Sequence, residues 1–371
     1  MVTTMPIFEK EIPVTLDESC RIAVVRWAEK DGIADAIHHE LGQLGHCPIY
    51  FRSNGEIPTG VEVVFSFAPY GEFLPIVRQL ANVPAPMRPV LVHWNTEGLP
   101  DLRLPWLFIR ALGLCRSWLG RLAHNNSGAA STLAMKLIVA GEKRGLRFRY
   151  IGDYYYAYGK GLLDIFADSS AVYTRLHNRH GLPAIFAPWG VTQSWHADLN
   201  LERDIDVLWM GIRGTRRRSN LLDRVCGELR ARGVRVHVAD NRENPFIFDN
   251  ERINFLNRSK ITLNLARTWY DDNFSRFAMA MPNRSMVVSE PLLPHCPAYE
   301  SGYHYVSAPI EALSETVLYY LRQEDERQRI VENAYQLVTS KLTFRNSMKT
   351  IMDAVNQLRR TTRRPANGAI S

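Results

Sequence analysis

The sequence lacks several patterns that would place it in a familiar class of protein. Its five cysteines are scattered, with no C-x-x-C pair, which argues against a disulfide framework and a cysteine zinc site and favours reduced thiols in the cytoplasm. No window of 18 residues is uninterruptedly apolar, so no membrane-spanning helix is expected. Residues 1–10 lack a basic region followed by an apolar stretch, so no signal peptide is expected either.

Two glycine fingerprints of nucleotide-binding proteins are also missing. There is no G-x-G-x-x-G motif and no G-K-[ST] of a P-loop, which makes an NAD-dependent oxidoreductase a weak interpretation. A strong excess of one charge is missing as well, since Lys and Arg number 45 against 38 Asp and Glu. The arginines concentrate in two small clusters, Arg216–Arg218 and Arg359–Arg364, rather than along one face, so no nucleic-acid partner is expected.

The chain does have enough apolar material for two cores, with 371 residues of which 46% are hydrophobic. Short apolar strands alternate with helical patterns from Arg21–Trp27 to Pro89–Trp94, and the same rhythm restarts at Asp206–Met210. This alternation predicts an α/β protein of two Rossmann-like domains that face each other across a cleft. We place the domains at 1–190 and 191–345, followed at 346–371 by a C-terminal helix and a basic, disordered tail.

Within the first half, five further segments are assigned from their patterns. Leu104–Glu142 is expected to be helical, and its apolar part, broken by Pro and Arg, to be buried or interfacial. Arg147–Ile151 and Ala171–Thr174 are expected to be strands, and Gly161–Phe166 a helix. The Pro- and Gly-rich residues 181–190 are expected to connect the domains.

The first candidate site follows the strand Asp206–Met210. Gly211 and Gly214 predict a tight turn before a helix that begins near Ser219. Glycines let backbone N–H groups approach an anion closely, and Arg213 adds a positive charge with bidentate phosphate geometry. The turn therefore predicts a diphosphate site, although a plain strand-to-helix turn with solvated arginines is also compatible with this pattern.

A second group of polar residues begins at Asn264, which closes an apolar strand. Arg276 opens the next helix, and Asp271 and Asp272 lie in the loop between them. Amides and carboxylates bind sugar hydroxyls and arginine binds phosphate, so the segment suits the recognition of a sugar phosphate. The two aspartates could also form a metal pair, but no further ligand is spaced to help, and we predict no metal. A plain polar loop remains the other interpretation.

Three more residues of the second half could contribute to the same site. Glu290 directly follows a buried strand, where a carboxylate can bind a ribose diol. His295 could serve as a general acid or base, and His304 would lie near the phosphates. Lone histidines are more often ordinary loop residues, so that interpretation stays open for both.

In the first half, His93 and Glu97 follow a buried strand and could present a base to an acceptor. Asp153 precedes four tyrosines within Tyr154–Tyr158, and aromatic faces beside a carboxylate suit sugar stacking. The catalytic candidates are therefore Glu97, Asp153 and His93, against the alternative of packed loops. Three tryptophans could form a cleft lip for a saccharide or lipid-linked acceptor, namely Trp94, Trp189 and Trp269.

Taken together, Asp204–Ser347 resembles the donor-binding domain of glycosyltransferases with the GT-B fold, in the CgeB-like branch of the glycosyl transferases group 1 families. The segments that carry this resemblance are Asp206–Gly211, Lys260–Asn264, Arg276–Phe277, Val287–Pro291, Gly302–Val306, Glu311–Leu321 and Glu324–Val338. The resemblance implies a nucleotide-sugar donor, such as a UDP- or GDP-sugar, with no obligatory metal or cofactor and with catalysis in the interdomain cleft. By that likeness the donor would be bound by Gly211, Arg213, Gly214, Asn264, Arg276 and Glu290.

The sequence thus predicts a cytoplasmic, hexosyltransferase-like enzyme that moves a sugar to an acceptor hydroxyl, as in polysaccharide biosynthesis. The acceptor could be a saccharide, a lipid-linked molecule or a protein, and peripheral membrane contact is compatible with this function. Retaining relatives often carry two glutamates on the helix that Arg276 opens, whereas this chain has none there. The alternative is therefore a non-catalytic protein that binds nucleotide sugars or acts as a scaffold in envelope or spore-coat assembly.

Overall fold

The structure, a computed structural model, describes residues 19–29, 31–67, 73–98, 101, 103–125, 132, 148, 150–268, 275–292 and 296–363. These residues form two α/β domains, each built on a twisted sheet whose strands all run parallel. The predicted fold class, two Rossmann-like domains, is therefore confirmed.

The first sheet has six strands in the order β2-β1-β3-β4-β5-β6. They are β1 (Arg21–Val25), β2 (Cys47–Phe51), β3 (Val63–Ser66), β4 (Val90–Asn95), β5 (Ile165–Asp168) and β6 (Ala184–Phe186). The helices between them are α1 (Gly32–Gln43), α2 (Phe73–Ala81), α3 (Trp106–Asn125), α4 (residues 150–159) and α5 (Ala171–Arg179).

The second sheet has five strands in the order β11-β10-β9-β7-β8. They are β7 (Ile205–Met210), β8 (Val236–Ala239), β9 (Ser259–Asn264), β10 (Met286–Ser289) and β11 (Val306–Ser307). The helices are α6 (Arg216–Arg230), α7 (Asp249–Arg258), α8 (Ser275–Ala280), α9 (Leu313–Arg322) and α10 (Glu324–Ser340).

Both faces of each sheet are covered, which explains why the strands read as continuous apolar runs. In β3, Val63 and Phe65 enter the core on one face of the sheet, and Val64 enters the core on the other. Successive side chains of a strand point to opposite faces, so a strand that is buried on both sides needs apolar residues at every position.

Three assignments in the first half are wrong. Residues 150–159, which overlap the strand expected at Arg147–Ile151, form helix α4, because its buried residues Tyr150, Ile151, Tyr154 and Ala157 recur at helical spacing. The helix expected at Gly161–Phe166 is instead a turn at Gly161, with a φ of 62°, followed by strand β5.

The strand expected at Ala171–Thr174 is the start of helix α5. Ser170 precedes it in an extended conformation, and its side chain accepts a hydrogen bond from the Tyr173 N–H group. Such an N-cap satisfies a backbone donor at the helix start, which outweighs the β-propensity of a short apolar run.

Helix α3 covers part of the helical segment expected at Leu104–Glu142. Residues 126–131, 133–147 and 149 of that segment lie outside the described residues. Within the described part of the chain, no helix combines the length and the apolar character needed to cross a bilayer.

The chain passes between the domains twice, and the two passages are hydrogen-bonded to each other. The Val191 N–H group donates to the Leu342 carbonyl at 2.8 Å, and the Phe344 N–H group donates to the Val191 carbonyl at 2.9 Å. Helix α11 (Phe344–Arg363) then packs on the first domain, where Phe344 and Met348 share a core with strands β1, β3 and β4. The domain boundaries at 190 and 345 stay a prediction.

Candidate functional site

Three predicted donor residues lie at one edge of the second sheet, where neighbouring strands end. Asn264 ends β9 and is paired with Ser289 of β10, which Glu290 follows. Gly211 follows β7, the other neighbour of β9. If the strands are numbered 1 to 5 from β7 to β11, their order across the sheet is 2-1-3-4-5. In such sheets ligands bind at the carboxyl ends of strands 1 and 3, where the direction of the chain across the sheet reverses. Those strands are β7 and β9.

The turn after β7 requires glycine. Gly211 and Gly214 have φ values of 121° and 74°, a left-handed region that other residues rarely adopt. A Cβ atom on Gly211 would lie 3.1 Å from Nη2 of Arg276. The glycine therefore lets a guanidinium group approach the backbone of the turn.

The same turn leads into the amino end of α6. The hydroxyl of Thr215 accepts a hydrogen bond from the Arg218 N–H group at 3.3 Å. Within the part of the chain that the structure describes, the N–H groups of Ile212, Gly214 and Arg216 have no hydrogen-bond acceptor. Such donors at the start of a helix carry a partial positive charge and can bind an anion.

Arg276, at the start of α8, links the ends of two strands. Its side chain is buried, and it donates from Nε to the Met210 carbonyl at 2.9 Å and from Nη1 to Asn264 Oδ1 at 3.0 Å. Its guanidinium carbon also lies 5.0 Å from the centre of the Trp209 ring. Asn264 in turn donates to Ser289 Oγ at 3.0 Å. This chain of contacts fixes a positive charge at the sheet edge.

Glu290 and Arg217 form a clasp at the next strand end. Glu290 is 2% exposed and accepts hydrogen bonds from the Ala266 N–H group at 2.6 Å and from Arg217. Arg217 also donates to the Ala266 carbonyl at 3.1 Å. The clasp joins the first turn of α6 to the segments after β9 and β10. Arg217 was not among the predicted site residues, because its partner Glu290 is 73 residues away in sequence.

The two arginines on either side of Gly214 have structural partners. Arg218 is buried and donates to the carbonyls of Ile212 and Arg213 at 2.8 and 2.7 Å, which holds the turn from behind. Arg213 forms ion pairs with Asp240, with Asp223 at 2.5 Å and with Glu243 at 3.1 Å. Burial alone would lower the pKa of Arg213, but Asp223 and Asp240 raise it, so the group stays charged. Its guanidinium is thus directed to the β8 side of the turn.

His304 is not brought into this group of residues. Among the described residues its Nδ1 accepts from the Glu300 N–H group at 3.1 Å, and its ring packs on Tyr303. Burial lowers its pKa. The remaining candidates of this half lie outside the described residues, namely His295, Asp271, Asp272 and Trp269. Within the described ranges, no three His, Cys, Asp or Glu side chains are grouped as metal ligands.

In the first domain, the predicted catalytic residues gather around Tyr154. Its hydroxyl donates to Asn95 Oδ1 at 3.2 Å, at the end of β4. Burial raises the pKa of Tyr154 far above its ordinary value, and the nearby charges of Asp153, Asp168 and Glu97 raise it further. The structure therefore brings Glu97 and Asp153 into one electrostatic neighbourhood, in which Asp153 is buried and Glu97 is partly exposed.

His93 is the third member of this neighbourhood and is enclosed in the core. Its Nδ1 lies 3.1 Å from Ser66 Oγ, and its ring contacts Phe73 and Tyr154 at centroid distances of 4.7 Å. Burial lowers the pKa of His93 to about 3, so the ring is neutral at pH 7. A neutral, enclosed imidazole is poorly placed to exchange protons with an acceptor.

The expected tryptophan lip is wrong for Trp94, whereas Trp189 is half-buried. Trp94 is fully buried, and its Nε1 donates to the Ala187 carbonyl at 2.9 Å. Trp189 stacks on it at 5.7 Å, and both rings pack against Phe344. These packed rings hold the domain connection in place.

The buried histidines should make stability fall in mild acid. Burial lowers the pKa of both His93 and His177 to about 3, whereas an unfolded chain titrates near 6.5. Between these values only the unfolded state binds the proton, so the free energy of unfolding decreases as the pH falls. Between pH 6.5 and pH 5 the loss should be about 2 kcal/mol for each histidine.

Urea unfolding at pH 7 and pH 5 measures this loss. His93→Phe should remove about half of the contribution from the two histidines, whereas His39→Gln, at an exposed position, should leave the loss unchanged. A pH dependence identical in wild type and His93→Phe would contradict the prediction.

Comparisons with known proteins agree with this architecture. Residues 216–353 match a family model described as glycosyl transferase-like, and no curated protein matches the chain. The structure of Anabaena HepE in complex with UDP-glucose is similar with a TM-score of 0.56 at 9% identity, over 91% of this chain and 100% of that one. Sucrose-phosphate synthase from Thermosynechococcus elongatus is similar with a TM-score of 0.54 at 11% identity, over 92% and 99% of the two chains.

A third similar structure is the pneumococcal O-GlcNAc transferase GtfA in complex with UDP and GlcNAc. Its TM-score is 0.51 at 9% identity, over 82% of this chain and 57% of that one. At these identities the likeness concerns the fold. The chain thus has the two-domain fold of the GT-B glycosyltransferases, and most of its C-terminal domain matches the glycosyl transferase-like family.

Proposed function

We propose that the protein is a glycosyltransferase that moves a sugar from a nucleoside diphosphate sugar to an acceptor hydroxyl between its two domains. The observation that carries the proposal is the convergence, at the ends of β7 and β9, of the glycine turn and the Arg276 guanidinium. A diphosphate suits this edge because it can accept hydrogen bonds from the turn and from a charged donor at once.

In this proposal the turn at Gly211 and Gly214, together with Arg276, binds the diphosphate. Asn264 orients Arg276. Glu290 accepts hydrogen bonds from the ribose hydroxyls through oxygen lone pairs that the contacts with Arg217 and Ala266 leave available. As the bond between the sugar and the diphosphate breaks, negative charge grows on the leaving phosphate. The fixed charge of Arg276 and the start of α6 would stabilise that charge, which supports a reaction that does not require a metal ion.

Glu97 is the proposed base on the acceptor side. It is partly exposed at the end of β4, whereas Asp153 and His93 are buried behind Tyr154. The carboxylate would take the proton of the acceptor hydroxyl, and the oxygen would then attack the sugar carbon that leaves the diphosphate. Asp153 would act through Tyr154 and Asn95 and hold the end of β4 in position.

Three further observations support the proposal. HepE and GtfA, which share the fold, were solved with UDP-glucose and with UDP and GlcNAc, respectively. The glycosyl transferase-like match runs from the start of α6 to the middle of α11, the part of the chain that includes Asn264, Arg276 and Glu290. The five cysteines are all free thiols, which favours the cytoplasm as the site of action.

A panel of nucleotides and nucleotide sugars tests the function. UDP- or GDP-sugars should raise the melting temperature, and incubation should release the nucleoside diphosphate by slow hydrolysis of the donor. Glu97→Gln should lower kcat at least about 100-fold with little change in donor affinity, because a general base acts in the chemical step. Absence of any thermal shift across the whole panel would overturn the proposal.

The alternative is a protein that binds nucleotide sugars without turning them over. Helix α8 contains Ser275–Ala280 and carries no carboxylate, which is the observation that favours this alternative. A thermal shift without donor hydrolysis, unchanged by Glu97→Gln and by Asp153→Asn, would support it.

A further inference from the structure

Helix α3 presents a row of large apolar side chains to solvent. Leu107 is 78% exposed, Phe108 50%, Leu114 37% and Trp118 53%. Leu107, Leu114 and Trp118 are spaced by seven and four residues, so they share one side of the helix. Monomeric proteins rarely expose several large apolar residues in one continuous row. Such a row indicates a surface that binds another protein or a membrane.

The opposite side of α3 fixes the helix on the first domain. Ile109 is 1% exposed, and Gly113 lies against Gly152 of α4 so closely that a Cβ on Gly152 would stand 1.9 Å from the Gly113 carbonyl oxygen. Two glycines at such a crossing bring the helix backbones into contact. Because this inner side is occupied, the outward direction of the apolar row is set by the packing of the domain.

The charge around the row is strongly positive. Residues 103–125, which the structure describes, contain four arginines and no lysine, namely Arg103, Arg110, Arg116 and Arg121, of which Arg103 pairs with Asp101. Arg110 lies on α3 itself. Burial and the nearby charges of Arg179 and Arg110 together lower the pKa of His180. The ring of His180 stacks on Trp106 of α3 at 4.4 Å. The described helix α3 contains no aspartate or glutamate.

We propose that the exposed row of α3 docks the protein on an anionic lipid bilayer. Leucine, phenylalanine and tryptophan side chains would enter the interface between headgroups and acyl chains, and the surrounding arginines would contact the lipid phosphates. This combination of an apolar row with a basic surround is the pattern of a helix that lies in the plane of a membrane. The docking does not require the proposed transferase activity.

A second copy of the chain is a less suitable occupant of this surface. Two copies joined through α3 would bring their basic surrounds together, and like charges at an interface oppose association. An anionic bilayer instead offers opposite charge and an apolar interior to the same side chains. Charge complementarity therefore favours an anionic bilayer over a second copy of the chain.

The experiment is co-sedimentation of the full chain with vesicles of phosphatidylcholine alone or with about one third phosphatidylglycerol. The protein should bind the anionic vesicles at least about tenfold more tightly, and binding should weaken between roughly 0.1 M and 1 M NaCl as the Debye length falls from about 10 to about 3 Å. The triple variant Leu107→Ser/Leu114→Ser/Trp118→Ser should lower binding to anionic vesicles at least about tenfold.

A charge variant and two control variants distinguish this proposal from non-specific adsorption of the protein to vesicles. Arg110→Gln with Arg179→Gln should also weaken binding about tenfold. Phe248→Ser, which removes a ring that is 62% exposed elsewhere, and Arg242→Gln, at an exposed arginine of the second domain, should each change binding less than about twofold. Because the substituted side chains are exposed, every variant should keep its melting temperature.

Several outcomes would overturn the proposal. One is that the protein does not bind anionic vesicles. Another is that the triple variant and the Phe248→Ser control lose the same amount of vesicle binding. A third is that vesicle binding does not depend on the salt concentration. A dimer in light scattering that the triple variant abolishes, without vesicle binding, would assign the surface to a second copy instead.

Discussion

Replacement of Arg276 by glutamine is expected to weaken the binding of nucleoside diphosphates about 100-fold. The guanidinium group is held by the Met210 carbonyl and by Asn264, and one of its nitrogens lies beside Gly211. A charged donor that is already oriented in a buried position loses little side-chain entropy when it binds phosphate. Glutamine keeps a polar group but loses both the charge and the forked geometry.

The variant also removes structural hydrogen bonds. Without the guanidinium, the Met210 carbonyl and Asn264 Oδ1 lose their donor, which should lower the free energy of unfolding by about 1–3 kcal/mol. Binding should therefore be measured by calorimetry with UDP and GDP at a temperature where the variant is fully folded. This condition separates the loss of affinity from the loss of stability.

Arg213→Gln is the informative comparison, because the sequence alone assigned that arginine to the diphosphate as well. The guanidinium of Arg213 is engaged by Asp240, Asp223 and Glu243 on the β8 side. We expect its replacement to change the dissociation constant less than about threefold, although it should cost stability by leaving three carboxylates close together. If Arg213→Gln weakened binding more than Arg276→Gln, the diphosphate would lie on the β8 side of the turn.

The position of the candidate donor site could be predicted because it depends on strand ends. A run such as Ile261–Leu265 shows where a buried strand stops, and parallel strands of one sheet place Asn264 and Glu290 at the same edge. The partners of the side chains could not be predicted. The pairs of Arg217 with Glu290 and of Arg213 with Asp240 span 73 and 27 residues, and they depend on the order of the strands in the sheet. A sequence pattern does not show the order of the strands in the sheet.

The errors in the first half have a related cause. Residues 161–174 contain a turn, a four-residue strand and a helix start, so neither the helical nor the strand period is repeated often enough to be recognised. His93 and Trp94 illustrate a second limit. Both stand at the end of a buried strand, where a ligand contact and a core contact need the same residue types. Here helices on opposite faces of the sheet enclose them, since His93 packs on α2 and α4 and Trp94 packs on the start of α11.

The double passage between the domains explains why Trp94 is a core residue and does not line a cleft. Trp94, Trp189 and Phe344 pack where the first passage meets the start of α11. Glu40 of α1 binds both passages, since it accepts from Thr192 at 3.3 Å and from Arg345 at 3.1 Å. The relative position of the domains therefore depends on a small, densely packed region.

Gly190→Ala is expected to lower the free energy of unfolding by at least about 3 kcal/mol, because Gly190 lies inside that region. A Cβ atom there would stand 2.3 Å from the Thr343 carbonyl carbon and 2.5 Å from the Phe344 nitrogen, both backbone atoms that cannot move aside singly. Any shift would break the hydrogen bonds between Val191 and the second passage. The first core and the connection should lose stability together.

The matched control is the same substitution at Gly227, in the middle of α6, where an added Cβ would meet nothing within 4 Å. There, alanine should raise the free energy of unfolding by about 0.5–1 kcal/mol, since it favours the helix over the unfolded chain. Urea unfolding of the two variants beside wild type should thus give changes of opposite sign. A Gly190→Ala variant as stable as wild type would show that the two passages are not packed as closely as the structure places them, and the fixed relation between the domains would lose its physical basis.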